Sequence, residues 1–449
     1  MTPLSEKELI AFLNERFALI LNPGVIYDTV ARQPISKSAF TLRCGSKRLD
    51  GKAASKIWLE SPEQRTYESF LYDPSAASPP TVFNTHYGMA VSRKGSVALW
   101  TRLLDSLYGE NTPERRYAEA WDLYPIAHPG AKLRNARLVW SDVRGVGKGA
   151  EAKVLSYVYG SHNCSLAVDD QQLNSKFNVW LENKQLVVIP ESNLTNKKLM
   201  NRLNDYITNP DAHFEGKYLK GYDGPTCANY LFHSNDADAI RIANADRRYH
   251  VHHVVGEGLK RDRPFWLKLL GPTDHPGGWA KANAGALRYH AEHFDFEAAG
   301  FDPFALAPET EAKVAMIEDT GTPLENWVTR LKNDSKEMLR GHQFRPGPFR
   351  MATTQALMIA YGGKVNANLM VRTLREAGIE KVVPKDLDGG SAGRNQLRIG
   401  NKLHTVWALE PGIKMTADEI RKAYYPLTEL EHKSGTGWSI RELKDWSKL

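Results

Sequence analysis

The sequence has few cysteines and no long apolar run. Its 449 residues include three cysteines, Cys44, Cys164 and Cys227, whose wide spacing matches neither a disulfide framework nor a metal-binding motif. No stretch approaches the roughly 18 consecutive apolar residues of a membrane-spanning helix. The opening MTPLSEKELIAFL lacks the basic start and apolar run of a signal peptide. We therefore expect a cytoplasmic protein with no membrane partner.

Charge of either sign is not in large excess. The chain has 59 basic and 52 acidic side chains, a net charge of +7 and a pI near 9.0. This small excess favours a polyanionic partner such as nucleic acid, although many basic proteins bind none. The apolar content of 42% and the charged content of 25% are ordinary for globular proteins, and the length leaves room for roughly two to four domains.

Changes in residue pattern divide the chain into five predicted segments. Residues 1–80 mix a short helix with strands and predict a small α+β N-terminal domain, and residues 81–135 are helical in pattern. Residues 136–300 alternate apolar strands with helical stretches, which predicts an α/β core with a mainly parallel sheet. Residues 301–345 are again helical, and residues 346–449 predict two helices followed by a strand pair.

The stretch LVWSDVRGVGKGAE at residues 138–151 predicts a phosphate-binding loop. An apolar strand runs into glycines and a lysine, and glycines let backbone N–H groups close around phosphate oxygens at the start of a helix. Two positions differ from the usual loop, because Asp142 replaces the first glycine and Gly149 replaces the hydroxyl residue that holds magnesium. The alternative is a glycine-rich turn with an incidental lysine. The candidate binding residues are Gly145, Val146, Gly147, Lys148, Gly149 and Ala150.

Polar residues follow the apolar strands that come after this loop. The apolar stretch QLVVIP ends at Pro190, and Glu191 follows it. At these two positions a nucleotide hydrolase has one carboxylate that holds magnesium and one that activates water. Glu191 occupies the activating position, whereas Pro190 cannot hold a metal. Asn235 follows NYLFHS and could orient the attacking water, and Arg247 or Arg248 could reach a neighbouring subunit's nucleotide as an arginine finger. Each feature alone could be a surface turn.

Together these stretches resemble the phage and mobile-element primase-helicase family, whose motor belongs to the AAA+-like superfamily 3 helicases. The resemblance covers roughly residues 40–330 and is carried by ARLVWSDVRGVGKGAEAKVL, LNSKFNVWLENKQLVVIPESN, DYITNPDAHFEGK, CANYLFHSND and ADRRYHVHHV. It implies a P-loop ATPase core at residues 136–300, with a helical oligomerisation collar before it and a helical post-motor segment after it. It leaves no room before residue 80 for the family's polymerising primase domain, so a separate primase or polymerase is an expected partner.

The resemblance also implies cofactors, an assembly and residue roles. The cofactors would be ATP and Mg²⁺, and the assembly would be a homo-oligomeric ring, most simply a hexamer. Ala150 and Pro190 have no side-chain oxygen, so two customary supports for magnesium are missing. We therefore expect binding of ATP to be more secure than its fast hydrolysis. The implied roles are phosphate-binding lysine for Lys148, catalytic carboxylate for Glu191, sensor asparagine for Asn235, and arginine finger for Arg247 or Arg248.

A basic hairpin is predicted between the second and third core strands. Superfamily 3 motors carry a hairpin there that points into the ring pore, and the matching stretch in this sequence is HFEGKYLKGYDG. Its Lys217 and Lys220 suit sequence-independent contacts with phosphates of single-stranded DNA, and Tyr218 and Tyr222 suit base stacking. The alternative is a solvated hairpin with ordinary lysines.

The C-terminal segment, residues 346–449, is expected to be winged-helix-like. ATTQALMIAYGG and VNANLMVRTLREAGIEKV predict two amphipathic helices, and RNQLRIGNKLHTVWAL predicts a strand pair around a Gly-Asn turn. Arg394, Arg398 and Lys402 could contact the phosphates of duplex DNA. The alternative is a winged helix used for protein contacts, since a fold does not dictate a function.

The sequence therefore predicts a phage or mobile-element DNA replication protein, located in the host cytoplasm if it is encoded by a phage. It would form a ring, bind ATP between subunits, and translocate on or unwind single-stranded DNA as a helicase. The main alternative is an ATP-binding but hydrolysis-poor replication initiator or loading scaffold, for which Pro190 is the mark. A monomeric small-molecule kinase is a weaker third hypothesis, and the paired arginines argue against it.

Overall fold

The computed structural model describes most of the chain. The described residues are 5–45, 48–49, 51–190, 194, 196–215, 221–238, 240–243, 246–339, 351–384, 396–399, 402–410 and 412–420. The chain forms two compact units, of which the first comprises Met1–Asn193, Lys198–Asp236 and His250–Ala307. The second comprises Leu194–Lys197, Ala237–Tyr249 and Pro308–Leu449. The division of the sequence into five segments stays a prediction.

The first unit opens with a small sheet and three helices. In chain order its elements are α1 (Glu6–Arg16), β1 (Phe17–Ile20), β2 (Val25–Asp28), β3 (Gln33–Ile35), α2 (Lys37–Cys44), β4 (Arg48–Leu49), β5 (Lys52–Ala53), α3 (Ala54–Glu60), β6 (Thr66–Tyr67), β7 (Ser69–Leu71) and β8 (Val82–Asn84). The sheet has the order β3-β2-β1-β6, with β6 parallel to β1. Apolar side chains from the helices and the sheet form one cluster, in which Phe40 and Trp58 are fully buried.

Helices and a central sheet make up the rest of the first unit. The elements are α4 (Ala98–Tyr108), α5 (Pro113–Ala127), β9 (Ala136–Trp140), α6 (Lys148–Tyr159), β10 (Cys164–Ser165), α7 (Asp170–Asn174), β11 (Leu186–Pro190), α8 (Lys197–Thr208), β12 (Asp211–Phe214), β13 (Tyr222–Pro225), β14 (Asn229–Ser234), β15 (Tyr249–His253), α9 (Arg263–Leu270), α10 (Gly278–Ala282) and α11 (Ala284–Glu292). α4 forms because its apolar residues recur at helical spacing, and the buried ones are Trp100, Leu103, Leu104, Leu107 and Tyr108.

The order of strands in the central sheet brings distant parts of the chain together. The order is β10-β11-β14-β9-β15, and β14 runs parallel to both β11 and β9. In this register Ser234 lies beside Trp140, and Pro190 lies beside His233. The carboxyl ends of β9, β11 and β14 therefore meet at one edge, which is where parallel sheets bind ligands. The predicted mixed α/β core with a mainly parallel sheet is confirmed.

The second unit contains helices followed by short strands. Its elements are α12 (Glu311–Thr320), α13 (Pro323–Asn333), α14 (Ser335–Leu339), β16 (Met351–Thr353), α15 (Thr354–Tyr361), α16 (Ala367–Glu376), β17 (Leu397–Ile399), β18 (Lys402–His404) and β19 (Val406–Ala408). β17 pairs with β18 and β16 pairs with β19, both antiparallel. The two predicted helices and the predicted strand pair are thus present. Within the described part of the chain, no helix is both long enough and apolar enough to cross a membrane.

A buried cluster of charges joins β9 to the helices around it. The guanidinium of Arg137 on β9 donates to Asp122 on α5 at 2.6 Å and to Glu151 on α6 at 3.0 Å. It also contacts the hydroxyl of Tyr108 on α4, which donates to Glu151 at 2.8 Å. Burial raises the pKa of Asp122. Burial also acts to raise the pKa of Glu151, but Arg137 and the hydrogen bonds with Asp122 and Tyr108 together lower it. The cluster therefore places one guanidinium between two buried carboxyl groups.

We expect Arg137→Met to lower the free energy of unfolding by about 3–5 kcal/mol, because it leaves a buried carboxylate without its cation. The exposed Arg134 nearby is the matched control, and Arg134→Met should change the value by no more than about 0.5 kcal/mol. Denaturant unfolding measures both. Equal stability of the two variants would contradict the structural role given to the cluster.

Candidate functional site

The loop between β9 and α6 has a conformation that requires glycine. Gly145 and Gly147 have φ angles of +84° and +121°, which other residues rarely adopt. A Cβ atom on Gly147 would also lie 2.9 Å from Cη2 of Trp266 and 3.1 Å from Cδ1 of Leu103. Val146 between the two glycines is buried in the core. The loop is therefore held against the first unit by packing, and only glycine fits at position 147.

Lys148 starts α6 and points to the end of β14. It is 9% exposed, and its Nζ donates to Oδ1 of Asn235 at 3.1 Å and to the carbonyl of Ser141 at 3.4 Å. Asn235 directly follows β14, so the strand order places it next to the loop. The structure thus brings together the lysine and the asparagine that the sequence analysis selected.

A cavity of about 520 Å³ opens over this loop. All six loop residues predicted to bind a nucleotide line it, and so does Asn235. Its volume lies within the range of small-molecule sites, about 300–1,000 Å³. The lining residues are Arg144, Gly145, Val146, Gly147, Lys148, Gly149, Ala150, Pro190, His233, Asn235, Lys260 and Trp266.

The sequence analysis missed His233, which lies on β14 beside Pro190. The side chain is buried, and its Nε2 has no hydrogen-bond partner among the described residues. Burial, reinforced by the positive charge of Lys148, lowers the pKa of His233 to about 4. The imidazole is therefore neutral at pH 7. The sequence signal that could have identified His233 was a histidine in the mainly apolar stretch NYLFHS, two residues before Asn235.

Two further lining residues were also missed. Lys260 lies between β15 and α9, and Trp266 lies in the middle of α9. Trp266 packs on Gly147, and Lys260 lies near Gly145. The sequence signal was the basic and aromatic run GLKRDRPFW after the last core strand. Arg144, inside the loop itself, was passed over because it is not part of the usual loop pattern.

The described residues of this site do not suit a magnesium ion. Gly149, Ala150 and Pro190 line the cavity at the positions where a hydroxyl and a carboxylate are customary, and none has a side-chain oxygen. Oδ1 of Asp142 accepts from Nε2 of His253 at 2.9 Å. Within the described ranges, no three histidine, cysteine or acidic residues form a group that could hold a metal.

The other predicted catalytic residues lie elsewhere. Glu191 is outside the described residues, so its role stays a prediction. Arg247 and Arg248 belong to the second unit, and they differ in their surroundings. The side chain of Arg248 donates to Asp246 at 3.1 Å, and its backbone N–H donates to the same carboxylate at 2.8 Å. Arg247 is exposed.

The predicted DNA-binding residues fall largely outside the described chain. β12 and β13 form the predicted hairpin, but Lys217, Tyr218 and Lys220 lie outside the described residues. The ring of Tyr222 contacts Phe214 and its hydroxyl donates to Glu182 at 2.7 Å, and its role in base stacking stays a prediction. In the second unit, Arg394 lies outside the described residues. Arg398 and Lys402 lie on the paired strands β17 and β18, and the structure does not describe their side chains.

These features define an α/β protein with a basic cavity at the carboxyl ends of a mainly parallel sheet. A family of unknown function (DUF5906) matches residues 139–248. The DNA primase-polymerase of Nitratiruptor phage NrS-1 is 30% identical over 127 residues, which are 27% of this chain and 17% of that protein. The chain therefore spans a small part of that relative's length.

Solved structures of the NrS-1 C-terminal region share the fold of this chain. The apo structure of that region has a TM-score of 0.61 and 16% identity, and the match covers 91% of this chain and 100% of the other. An apo structure described as the A form has a TM-score of 0.59 and 16% identity, and covers 90% and 99%. The chain is thus similar in sequence, over a limited stretch, to a phage replication enzyme, and similar in fold to that enzyme's C-terminal region.

Gly147→Ala should lower the free energy of unfolding by about 2 kcal/mol or more, because it adds both backbone strain and a clash with Trp266. Gly149→Ala is the matched control, since nothing lies within 4 Å of a Cβ atom there. It should be neutral or stabilise by up to about 1 kcal/mol. Thermal and denaturant unfolding distinguish the two substitutions. A harmless Gly147→Ala would mean that the loop packs differently.

Proposed function

We propose that this protein is a phage or mobile-element replication ATPase that assembles as a ring and translocates on, or unwinds, single-stranded DNA. The observation that carries the proposal is the cavity in which Lys148, the glycine loop and Asn235 meet. The similarity to a phage DNA primase-polymerase supports a role in DNA replication. A separate primase or polymerase is proposed as a partner of the ring.

In this proposal the loop binds the phosphates of ATP. The backbone N–H groups from Gly145 to Gly149 and the positive end of α6 attract the phosphate oxygens. The Nζ of Lys148 then exchanges its contacts with neutral oxygens for charged phosphate oxygens, which accept stronger hydrogen bonds.

We propose that two polar residues, Asn235 and Glu191, take part in the hydrolysis of ATP. Asn235 would orient a water molecule towards the terminal phosphorus, and Glu191 would accept its proton as the bond to the leaving diphosphate breaks. Mg²⁺ is proposed to arrive with ATP, where it offsets phosphate charge. We assign no step to that ion, because the described lining contains no carboxylate or hydroxyl side chain to hold it.

The second candidate is an ATP-binding initiator or loading scaffold with little hydrolysis. The observation that favours it is the pair of positions without oxygen ligands, Ala150 and Pro190. Both candidates share the nucleotide site and the DNA partner. They differ in whether single-stranded DNA stimulates ATP turnover, which a single assay measures.

DNA is proposed to contact two regions of the chain. The hairpin of β12 and β13 would present Lys217, Tyr218 and Lys220 to single-stranded DNA, supported by the antiparallel pairing of its two strands. The C-terminal strand pair would present Arg398 and Lys402 to duplex DNA, with Arg394 before it. The two helices and the strand pair of the second unit support a winged-helix-like role.

Lys148→Ala should weaken ATP binding by about 2 kcal/mol or more and abolish turnover stimulated by single-stranded DNA. Lys153→Ala, which changes an exposed lysine on the same helix, is the control and should behave as the unmodified protein. Calorimetric titration with ATP and a phosphate-release assay give the two readouts. ATP binding without DNA-stimulated turnover in the unmodified protein would favour the scaffold, and equal ATP affinity of the two variants would contradict the site.

Arg247→Ala should reduce turnover and leave ATP affinity nearly unchanged, because an arginine finger acts on a neighbouring subunit's nucleotide. Arg247 is the better candidate than Arg248, whose side chain already pairs with Asp246. Mixing the Arg247→Ala and Lys148→Ala chains should restore part of the activity, since some interfaces then combine an intact loop with an intact arginine. Mixtures that never exceed the sum of the two parents would count against shared sites.

A further inference from the structure

The cavity over the loop carries more positive charge than the predicted phosphate-binding lysine alone provides. Lys148, Arg144 and Lys260 all line it, and the described lining contains no aspartate or glutamate. Arg144 and Lys260 are exposed, and together with the buried Lys148 they give the cavity a positive potential that attracts anions.

The acidic side chains nearest in sequence to Arg144 and Lys260 are paired with other residues. Each makes an ion pair or hydrogen bond of 3.0 Å or less with a different residue, and among the described residues no ion pair involves Arg144 or Lys260. The pairs are Asp142 with His253, Glu257 with Arg261, and Asp262 with Arg102. The charges of Arg144 and Lys260 are therefore available to a ligand.

The backbone before Lys260 is held in a fixed position beside the loop. The N–H of Leu259 donates to Oγ of Ser106 at 3.1 Å, and its carbonyl accepts from Nε1 of Trp266 at 2.8 Å. Cγ of Lys260 lies 3.7 Å from where a Cβ on Gly145 would stand. The lysine stem thus runs along the glycine that opens the phosphate loop, and its amino group can reach a phosphate bound there.

A neutral imidazole also lines the cavity. His233 is more than nine-tenths buried, and its Nε2 is enclosed by the protein with no partner among the described residues. The ring lies beside Pro190, where the usual metal-holding carboxylate is missing.

We propose that this cavity binds a nucleoside triphosphate without requiring a divalent cation. Arg144 and Lys260, together with Lys148, neutralise the phosphates. The proposal rests on the nucleotide site proposed above and adds to it Lys260 and Arg144 as phosphate-binding residues. The proposal explains why the loop retains its lysine and glycines although Gly149 occupies the usual hydroxyl position and Pro190 occupies the usual carboxylate position.

The test measures binding of a ribose-labelled fluorescent ATP analogue to the full chain by anisotropy, once with Mg²⁺ and once with EDTA. The unmodified protein should bind with affinities that agree within about threefold in the two conditions, a difference of less than about 0.7 kcal/mol. Lys260→Ala should lose about tenfold in EDTA, the scale of one charge-assisted hydrogen bond, and Arg144→Ala should also weaken binding. Lys260→Arg keeps the charge and should retain most of the affinity.

Lys268→Ala is the matched control, because it removes an exposed lysine from the last turn of α9 without touching the cavity. Loss of binding by the unmodified protein in EDTA, by a hundredfold or more, would overturn the proposal, as would equal affinities for Lys260→Ala and Lys268→Ala. If either result appears while Lys148→Ala weakens binding with Mg²⁺ as predicted above, the proposed ATP site stands without this addition. If the unmodified protein binds the analogue in neither condition, both proposals fail.

Discussion

The ion pair between Arg137 and Glu151 fixes the two ends of the candidate site. Arg137 lies on the strand that enters the loop, and Glu151 lies one turn into the helix that leaves it. Both side chains are fully buried, so neither can move away without leaving a charge in a low-dielectric interior. Asp122 and Tyr108 extend the same network to two further helices. The glycine loop therefore spans two anchored ends, which suits a site that must keep its backbone N–H groups in place.

Local features of the site could be predicted from the sequence, because each is encoded within a few residues. The strand, the glycines and Lys148 are contiguous, and Asn235 follows an apolar strand directly. The two C-terminal helices and the strand pair were likewise predictable from periodicity. Non-local features were not predictable in this way. His233 lines the cavity because β14 lies beside β11, and Lys260 lines it because the connection between β15 and α9 lies against the glycine loop. β16 was missed because three residues are too few to show alternation.

The cavity shows how one kind of charge compensation can replace another. A phosphate group can be neutralised by a metal held on carboxylates, or by cationic side chains placed directly against it. The described lining provides the second kind and lacks the first. Pro190 on β11 and His233 on β14 lie side by side, so two adjacent strands present uncharged side chains to the cavity. This arrangement would bind phosphate firmly while giving little help to bond cleavage, which is the difference between the two functions proposed above.

The hydrogen bond between Lys148 and Asn235 also has a consequence for how the site responds to a ligand. The lysine chain is buried and its Nζ makes two hydrogen bonds, so in the proposed ATP site little side-chain entropy would be lost on fixing it. A phosphate oxygen bound there would compete with the amide oxygen of Asn235 for the same Nζ. Occupancy of the proposed site would thus change the surroundings of the residue at the end of β14.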